Sequence, residues 1–282
     1  MPLRARCYTD PACSASWAAE PKRRALLVEF GNDLSFTYVM GGLARDYEEG
    51  HPDTYESLLL NWLDHASDSR MPFDPRSWAE GPIRSTFPAC MAVKAALEQG
   101  SDAQDRYLRA VREGLMCFRR KLDSPEPLVE VAREAGLDVR RFRVDLQSNA
   151  IVEAFGADLE ETRSPPEAAR ERDGVAEGQG GERFVFPSVR FEGEAPEPTY
   201  VFGDAPYEEW RAAAIAAGAR PSEESRPDAL AALRRFGRLA TVEVEAVCDL
   251  SAQAAEGELW RLATEGRARP LRVLTGELWE LA

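Results

Sequence analysis

A cysteine set in the turn between a first strand and a first helix constrains this chain more than any other feature. Leu3 to Tyr8 reads as a short strand, Asp10-Pro11 stops it, and Cys13 stands where a helix begins, with Trp17 one turn further on. Beyond the helix, Leu34, Phe36, Tyr38 and Met40 alternate with Ser35, Thr37 and Val39, the pattern of a strand with one buried face, and Gly41-Gly42 closes it. Strand, helix, strand at this spacing is a βαβ unit, which requires parallel strands and a right-handed crossover. The helix is expected over Ala18 to Phe30, bent by Pro21 near its start and capped by Gly31-Asn32. A thiol in the first turn of a helix feels unpaired backbone N–H groups, which favour thiolate. Cys13 is therefore the candidate nucleophile, while Ser16 stands where a CxxC redox turn carries its second cysteine.

Composition narrows what such a unit can belong to. A chain of 282 residues, 44% hydrophobic, can bury one sizeable core and a second small one. Its net charge of -14 repels phosphate backbones and argues against nucleic-acid binding. No apolar run reaches the roughly 20 residues that span a bilayer, and no signal-like apolar core follows Arg4 and Arg6, so a cytoplasmic location is expected. Cys7, Cys13, Cys90, Cys117 and Cys248 are odd in number and scattered, which fits reduced thiols, four of them packed as small hydrophobes. His51 and His65 are too few for a histidine-based zinc site and read as surface or packing residues.

From Thr54 to Leu159 the apolar period is helical, as in Tyr55, Leu58, Leu59 and Trp62, then Tyr107, Leu108, Val111 and Leu115. Residues 51–160 thus read as an all-α insertion. Residues 161–182, with Pro165-Pro166 and Gly178 to Gly181, are expected to form a flexible loop. Phe184 to Phe191 alternates again as a strand, Thr199 to Phe202 is its partner across a hairpin connection from Glu192 to Pro198, and Ala205-Pro206 opens a helix from Tyr207 to Ala217. Residues 1–50 and 183–219 then form one α/β domain with a mixed sheet around the insertion. Residues 226–282 differ in texture: a helix with Leu230 and Leu233, an ambiguous stretch from Val242 to Leu250, a Ser251-capped helix, and a hairpin about Thr275-Gly276 outline a small winged-helix-like domain. Its candidate recognition helix carries Glu256, Glu258 and Glu265 against Arg261, the wrong sign for phosphates, so docking or a protein-binding face suits it better.

Three stretches together resemble a known family: Asp10-Pro11-Ala12-Cys13-Ser14-Ala15-Ser16-Trp17, the segment from Pro82 through Arg84, Ser85 and Thr86 to Ala96, and Phe186-Pro187-Ser188. They are similar to the thioredoxin-like DsbA family with its helical insertion, over about Leu3 to Ala219. The turn DPxCxxxW resembles the cytosolic branch that includes FrnE-like proteins and SpxH (YjbH)-type adaptors of the ClpXP protease. The resemblance implies a cis bond at Phe186-Pro187, with the Phe186 backbone beside Cys13 to pair with an extended peptide or glutathione. It makes Cys13 and Ser16 the catalytic positions, and Pro11, Trp17, Ser85, Thr86, Phe186 and Pro187 the substrate-binding ones. Ser85 or Thr86 reads equally well as a helix cap, and Arg84 as a carboxylate binder.

Ser16 is the departure, because a dithiol cycle needs a second sulfur to release the mixed disulfide. The first reading is therefore a thiol-disulfide oxidoreductase-like protein working by monothiol exchange through Cys13, with protein or peptide thiols as partners and glutathione as co-substrate, and with no metal or other cofactor. The second is a non-catalytic protease adaptor or protein-binding module, for which Cys13 is an idle turn residue packed near Trp17. The third is a glutathione transferase or isomerase of the kappa type, which also has a helical insertion but carries serine where this chain has Cys13. Oligomeric state is not legible in the sequence.

Overall fold

The chain enters as β1 (Leu3–Thr9), turns through Asp10 to Cys13, and starts a helix that is interrupted rather than bent. The computed structural model describes residues 3–193 and 197–282. Helix α1 (Ser14–Ala18) ends and α2 (Glu20–Glu29) begins around Ala19, with Pro21 in the first turn of α2. A missing N–H removes no hydrogen bond there, so the helix expected over residues 18–30 forms as α2, opened by Pro21 rather than bent by it. Gly31, at a φ of 52°, leads the chain out of α2. Strand β2 (Leu34–Met40) returns parallel to β1, in register from Leu3 opposite Leu34 to Thr9 opposite Met40.

The insertion is helical as expected: α3 (Tyr55–Ser69), α4 (Ser77–Glu80), α5 (Phe87–Leu97), α6 (Ser101–Met116), α7 (Pro125–Glu134), α8 (Val139–Leu146) and α9 (Asn149–Thr162). A reciprocal capping box between Thr54 and Ser57 starts α3. Trp62, Val93, Tyr107 and Leu115 of these helices share one continuous core with Trp17, Leu26 and Met40 of the βαβ unit. Burying that common apolar surface is what joins the insertion to the sheet.

The flexible loop expected over residues 161–182 is not what forms. After α9 come α10 (Glu167–Arg170) and two antiparallel strands, β3 (Val175–Gly178) and β4 (Gly181–Phe184). The glycines that suggested mobility are turn residues, with Gly180 and Gly181 at φ of 99° and 100°. The strand expected over Phe184 to Phe191 is likewise two: β4 stops at Phe184, and β5 (Ser188–Glu192) begins after a cis Phe186-Pro187 bond and joins the other sheet. Strand β6 (Thr199–Phe202) pairs antiparallel with β5; residues 194–196 of the expected connection lie outside the described residues. The main sheet runs β2-β1-β5-β6, mixed as expected, and α11 (Tyr207–Ala216) packs on β6.

The C-terminal unit comprises α12 (Ala229–Phe236), β7 (Leu239–Ala240), α13 (Thr241–Cys248), α14 (Ala252–Thr264), β8 (Ala268–Val273) and β9 (Gly276–Leu281). The ambiguous stretch is the helix α13, and the two-residue β7, too short for any periodicity to reveal, joins the hairpin in the order β7-β9-β8. Leu233, Val244, Val247, Leu259 and Trp279 give it a core of its own.

Charge then ties the three parts together. Glu20 of α2, 1% exposed, lies 2.6 Å from Arg112 of α6 and 2.9 Å from Arg23. Glu243 of α13, fully buried, lies 2.7 Å from Arg109 of α6 and 2.8 Å from Arg24 of α2, although the Arg24 Nε–H is not aimed well enough to bond. Burial pushes the Glu20 carboxyl up, but Arg23, Arg112, Arg24 and Arg109 outweigh it and hold the group far below the ordinary carboxylate range.

Removing one partner of such a cluster leaves buried charge uncompensated, so Glu20→Gln is expected to destabilise the fold by about 3–5 kcal/mol in urea unfolding at neutral pH. A loss under about 1 kcal/mol would show that the cluster does not hold the parts together. Because the folded pKa of Glu20 is depressed, its contribution is complete above the unfolded value of about 4.3 and fades as pH falls toward the folded one. Acid unfolding below about pH 4 is therefore expected to be shallower in Glu20→Gln than in the parent chain.

Candidate functional site

Cys13 ends the first turn as the N-cap of α1, and its Sγ accepts the backbone N–H of Ser16 at 3.4 Å. The turn is fixed from below by Asp10, whose carboxylate accepts the N–H groups of Ala12 and Leu43 and the hydroxyl of Thr86, each at 2.8 Å. Sideways, Arg112 donates to Thr9 Oγ1, and Thr9 Oγ1 donates to the Ser16 hydroxyl at 2.8 Å, which leaves the Ser16 proton free to turn toward the sulfur. Opposite stands the cis bond at Pro187, with the Phe186 carbonyl 3.8 Å from Cys13 Sγ. The Phe186 ring occupies the space above Gly41, where a Cβ would fall 1.9 Å from its Cζ. Gly41, read with Gly42 only as a strand end, is thus what lets the cis-proline segment approach.

A cavity of about 180 Å³ opens at Cys13. The loop after β2 contributes Tyr47 and His51 to its wall, α3 contributes Trp62 and His65, and β4 contributes Arg183. Both histidines therefore line the cavity that opens at the cysteine, where the sequence suggested only surface or packing roles. Among the described residues no group of three or more His, Cys, Asp or Glu side chains could hold a metal ion. All five cysteines are unpaired and buried, and burial pushes the Cys7 thiol up to about 12.

Burial likewise raises the Cys13 pKa, and the Ser16 hydroxyl and N–H lower it too little to compensate. A thiol at a helix start was expected to favour thiolate; withdrawal from water outweighs the two local donors. Several other expected site residues are engaged in contacts within the fold. Trp17 is fully buried, its indole N–H donating to the Pro72 carbonyl and its ring lying 4.3 Å beneath Arg109. Pro11 is buried beneath the turn. Thr86 makes no side-chain helix cap and holds Asp10 instead, while the Ser85 hydroxyl donates to the Ala44 carbonyl. Arg84 is occupied by Asp46, Glu48 and Glu49. Cys13, Ser16, Phe186 and Pro187 do come together. Arg183, Asp10 and the histidines were missed: the hairpin, the loop after β2 and α3 bring Arg183, His51 and His65 to the cavity, while Asp10, already in the turn, shows its role only through the groups it accepts from Ala12, Leu43 and Thr86.

A strand–turn–helix cysteine facing a cis-proline, on a mixed sheet with an inserted helical lobe, defines a thioredoxin-like protein with a single-thiol turn. The thioredoxin family model matches residues 7–164, and the chain belongs to that family. It is also similar to proteins named ClpXP adapter protein SpxH: 28% identical to that of Halalkalibacterium halodurans, over 99% of this chain and 88% of the relative, and 25% identical to that of Bacillus subtilis, over 99% and 89%. The SpxH-type resemblance read from the turn is the one these relatives bear out. Among solved structures, a putative protein disulfide isomerase from Nitrosomonas europaea superposes with a TM-score of 0.62 at 18% identity, covering 77% of this chain and 97% of the other. The cytosolic disulfide reductase DsbM of Pseudomonas aeruginosa gives 0.54 at 17% identity, over 74% and 96%. These two likenesses show the fold.

Two outcomes follow from the geometry. Gly41→Ala drives a methyl into the Phe186 ring and is expected to cost about 1–3 kcal/mol in thermal or urea unfolding; a neutral result would mean the cis-proline segment shifts freely. Alkylation of Cys13 by iodoacetamide, followed on its own peptide by mass spectrometry, is expected to be slow at neutral pH and still rising past the titration of free cysteine. A rate that levels off below that point would show an activated thiolate.

Proposed function

We propose that this chain is a protein-binding adaptor built on a thioredoxin-like scaffold, in which the cleft between Cys13 and Pro187 receives an extended protein segment for delivery to a ClpXP-type protease. One observation carries the reading: the sulfur that the family's chemistry would use is buried, shifted toward thiol, and accompanied by Ser16 where a resolving cysteine would stand. The backbone apparatus for holding a peptide is retained, while the means of completing a dithiol cycle is absent from the turn. Full-length similarity to relatives named as ClpXP adapters supports the same choice. The C-terminal unit, which we read as winged-helix-like, is docked rather than free: Arg70–Glu245 and Arg238–Glu113 pairs join it to the insertion. We place the protein in the cytoplasm, where its five free thiols would stay reduced; among the described residues no helix is long and apolar enough to cross a membrane.

Monothiol exchange is the second reading. It is favoured by the Cys13 sulfur lying 3.8 Å from the Phe186 carbonyl, with glutathione as the thiol that would resolve a mixed disulfide.

Deleting the gene should stabilise a set of cellular proteins nested within the set stabilised by loss of ClpX, as read by quantitative proteomics with translation blocked. Restoring the chain as Cys13→Ala is expected to return their turnover to within about twofold of normal, since substitution away from any chemistry changes little. If Cys13→Ala behaves like the deletion, and the purified parent chain accelerates glutathione-dependent disulfide reduction, the thiol reading takes its place.

A further inference from the structure

We propose that the segment received by the cleft is acidic, and that Arg183, backed by Arg163, is the anchor for its carboxylate; this rests on the adaptor reading. Every other buried or half-buried arginine among the described residues has a carboxylate within salt-bridge distance. Arg163 and Arg183 have none. Arg183 lies on β4 with its guanidinium 4.5 Å over the Phe186 ring; Nη1 donates to the Phe184 carbonyl at 2.7 Å, and Nε is buried with no acceptor. Arg163, just past the end of α9, reaches only the carbonyls of Leu159 and Gln179. Burial lowers the pKa of each, and the Arg163 charge lowers that of Arg183 further.

Most of the carboxylates around them are engaged elsewhere. Glu182, the chain neighbour of Arg183, pairs with Arg170 at 2.5 Å, Asp46 and Glu49 pair with Arg84, and Asp10 is held by Thr86 and backbone N–H groups. Of the acids on the cleft wall, Asp53 lies 3.9 Å from His51, and Glu177 stands exposed on β3. In a chain of net charge -14, withdrawing two guanidiniums from water without an internal partner makes sense if the partner arrives from outside.

The edge beside them is also open. Among the described residues strand β3 pairs only with β4, and Glu177 and Gly178 of β3 border the same cleft as Arg183 and Cys13. An extended segment laid along β3 gains main-chain hydrogen bonds, and one Asp or Glu side chain on it can meet the guanidinium in a charge-assisted pair.

Peptide phage display against the full chain reads this directly. Aspartate or glutamate is expected to be enriched at one position of the binders, and a selected peptide should bind about tenfold or more tightly than its glutamine or asparagine twin. That difference should vanish in R183Q, shrink in R163Q, and survive in part in R183K, which keeps a charge. It should also shrink between about 0.05 M and about 0.5 M salt, a readout on the parent chain that holds even if R183Q fails to fold. Binders with no acidic position, or an acidic preference undiminished in R183Q and indifferent to salt, would overturn the proposal. So would Arg183-dependent binding of glutathione with no peptide selected, which would assign the site to a small anion. The adaptor reading is scored separately: protein turnover that depends on the chain but is untouched by R183Q sinks the anchor alone, whereas turnover indifferent to the whole chain sinks the adaptor.

Discussion

Glu20 is the charge on which the three parts of the molecule converge. It sits in the helix that follows the cysteine turn, and it is fully withdrawn from water among Arg23, Arg24, Arg109 and Arg112. Two of those arginines belong to the helical insertion, and two of the four also lie against Glu243 of the C-terminal unit. A buried cluster of this kind adds little net stability compared with an apolar core of the same volume, but it tolerates few alternative arrangements. Apolar surfaces can slide past one another; paired guanidiniums and carboxylates lose several bonds at once when displaced.

The same cluster reaches the functional turn. Arg112 bonds both Glu20 and Thr9, and Thr9 bonds Ser16, the residue beside the Cys13 sulfur. The position that would hold a resolving thiol is therefore the end of a hydrogen-bond chain rooted in the domain interface. Serine there is a structural element of the turn as well as a missing sulfur. This accounts for a site that preserves the geometry of its fold while its cysteine is pushed toward the neutral thiol: the packing that holds the turn still is also what excludes water from it.

Much of the frame was legible because local chemistry and global fold agree there. The alternation of Leu34 to Met40 is β2, Thr54 caps α3, Ser251 caps α14, and Thr275-Gly276 turns the final hairpin. The errors lie where local signals have two readings. Glycines in residues 178–181 mean either mobility or a tight turn, and only the pairing of β3 with β4 selects the turn. Pro21 can kink a helix or begin one, and the break at Ala19 decides that it begins one. The alternation from Phe184 to Phe191 gives no sign that the strand changes sheets at Pro187.

By itself the sequence determined the parallel βαβ unit, the helical insertion and the mixed sheet, because periodicity and caps are encoded within short stretches, while the placing of Phe186 and Pro187 beside Cys13 came from the family resemblance. Tertiary structure alone decided which polar side chains face the cleft and which are consumed in holding it. Thr86 and Arg84 read as ligand-binding residues until Asp10 and Asp46 are seen to occupy them. Arg183, His51 and His65 acquire their setting only when the hairpin, the loop after β2 and α3 come together at the turn, and Arg163 lines a neighbouring cavity with Gln179 and Gly180 of the hairpin. The physical reason is that charge pairing and burial depend on distance through space, and residues such as Arg24 and Glu243, or Arg6 and Glu161, meet across separations that no local pattern in the chain records.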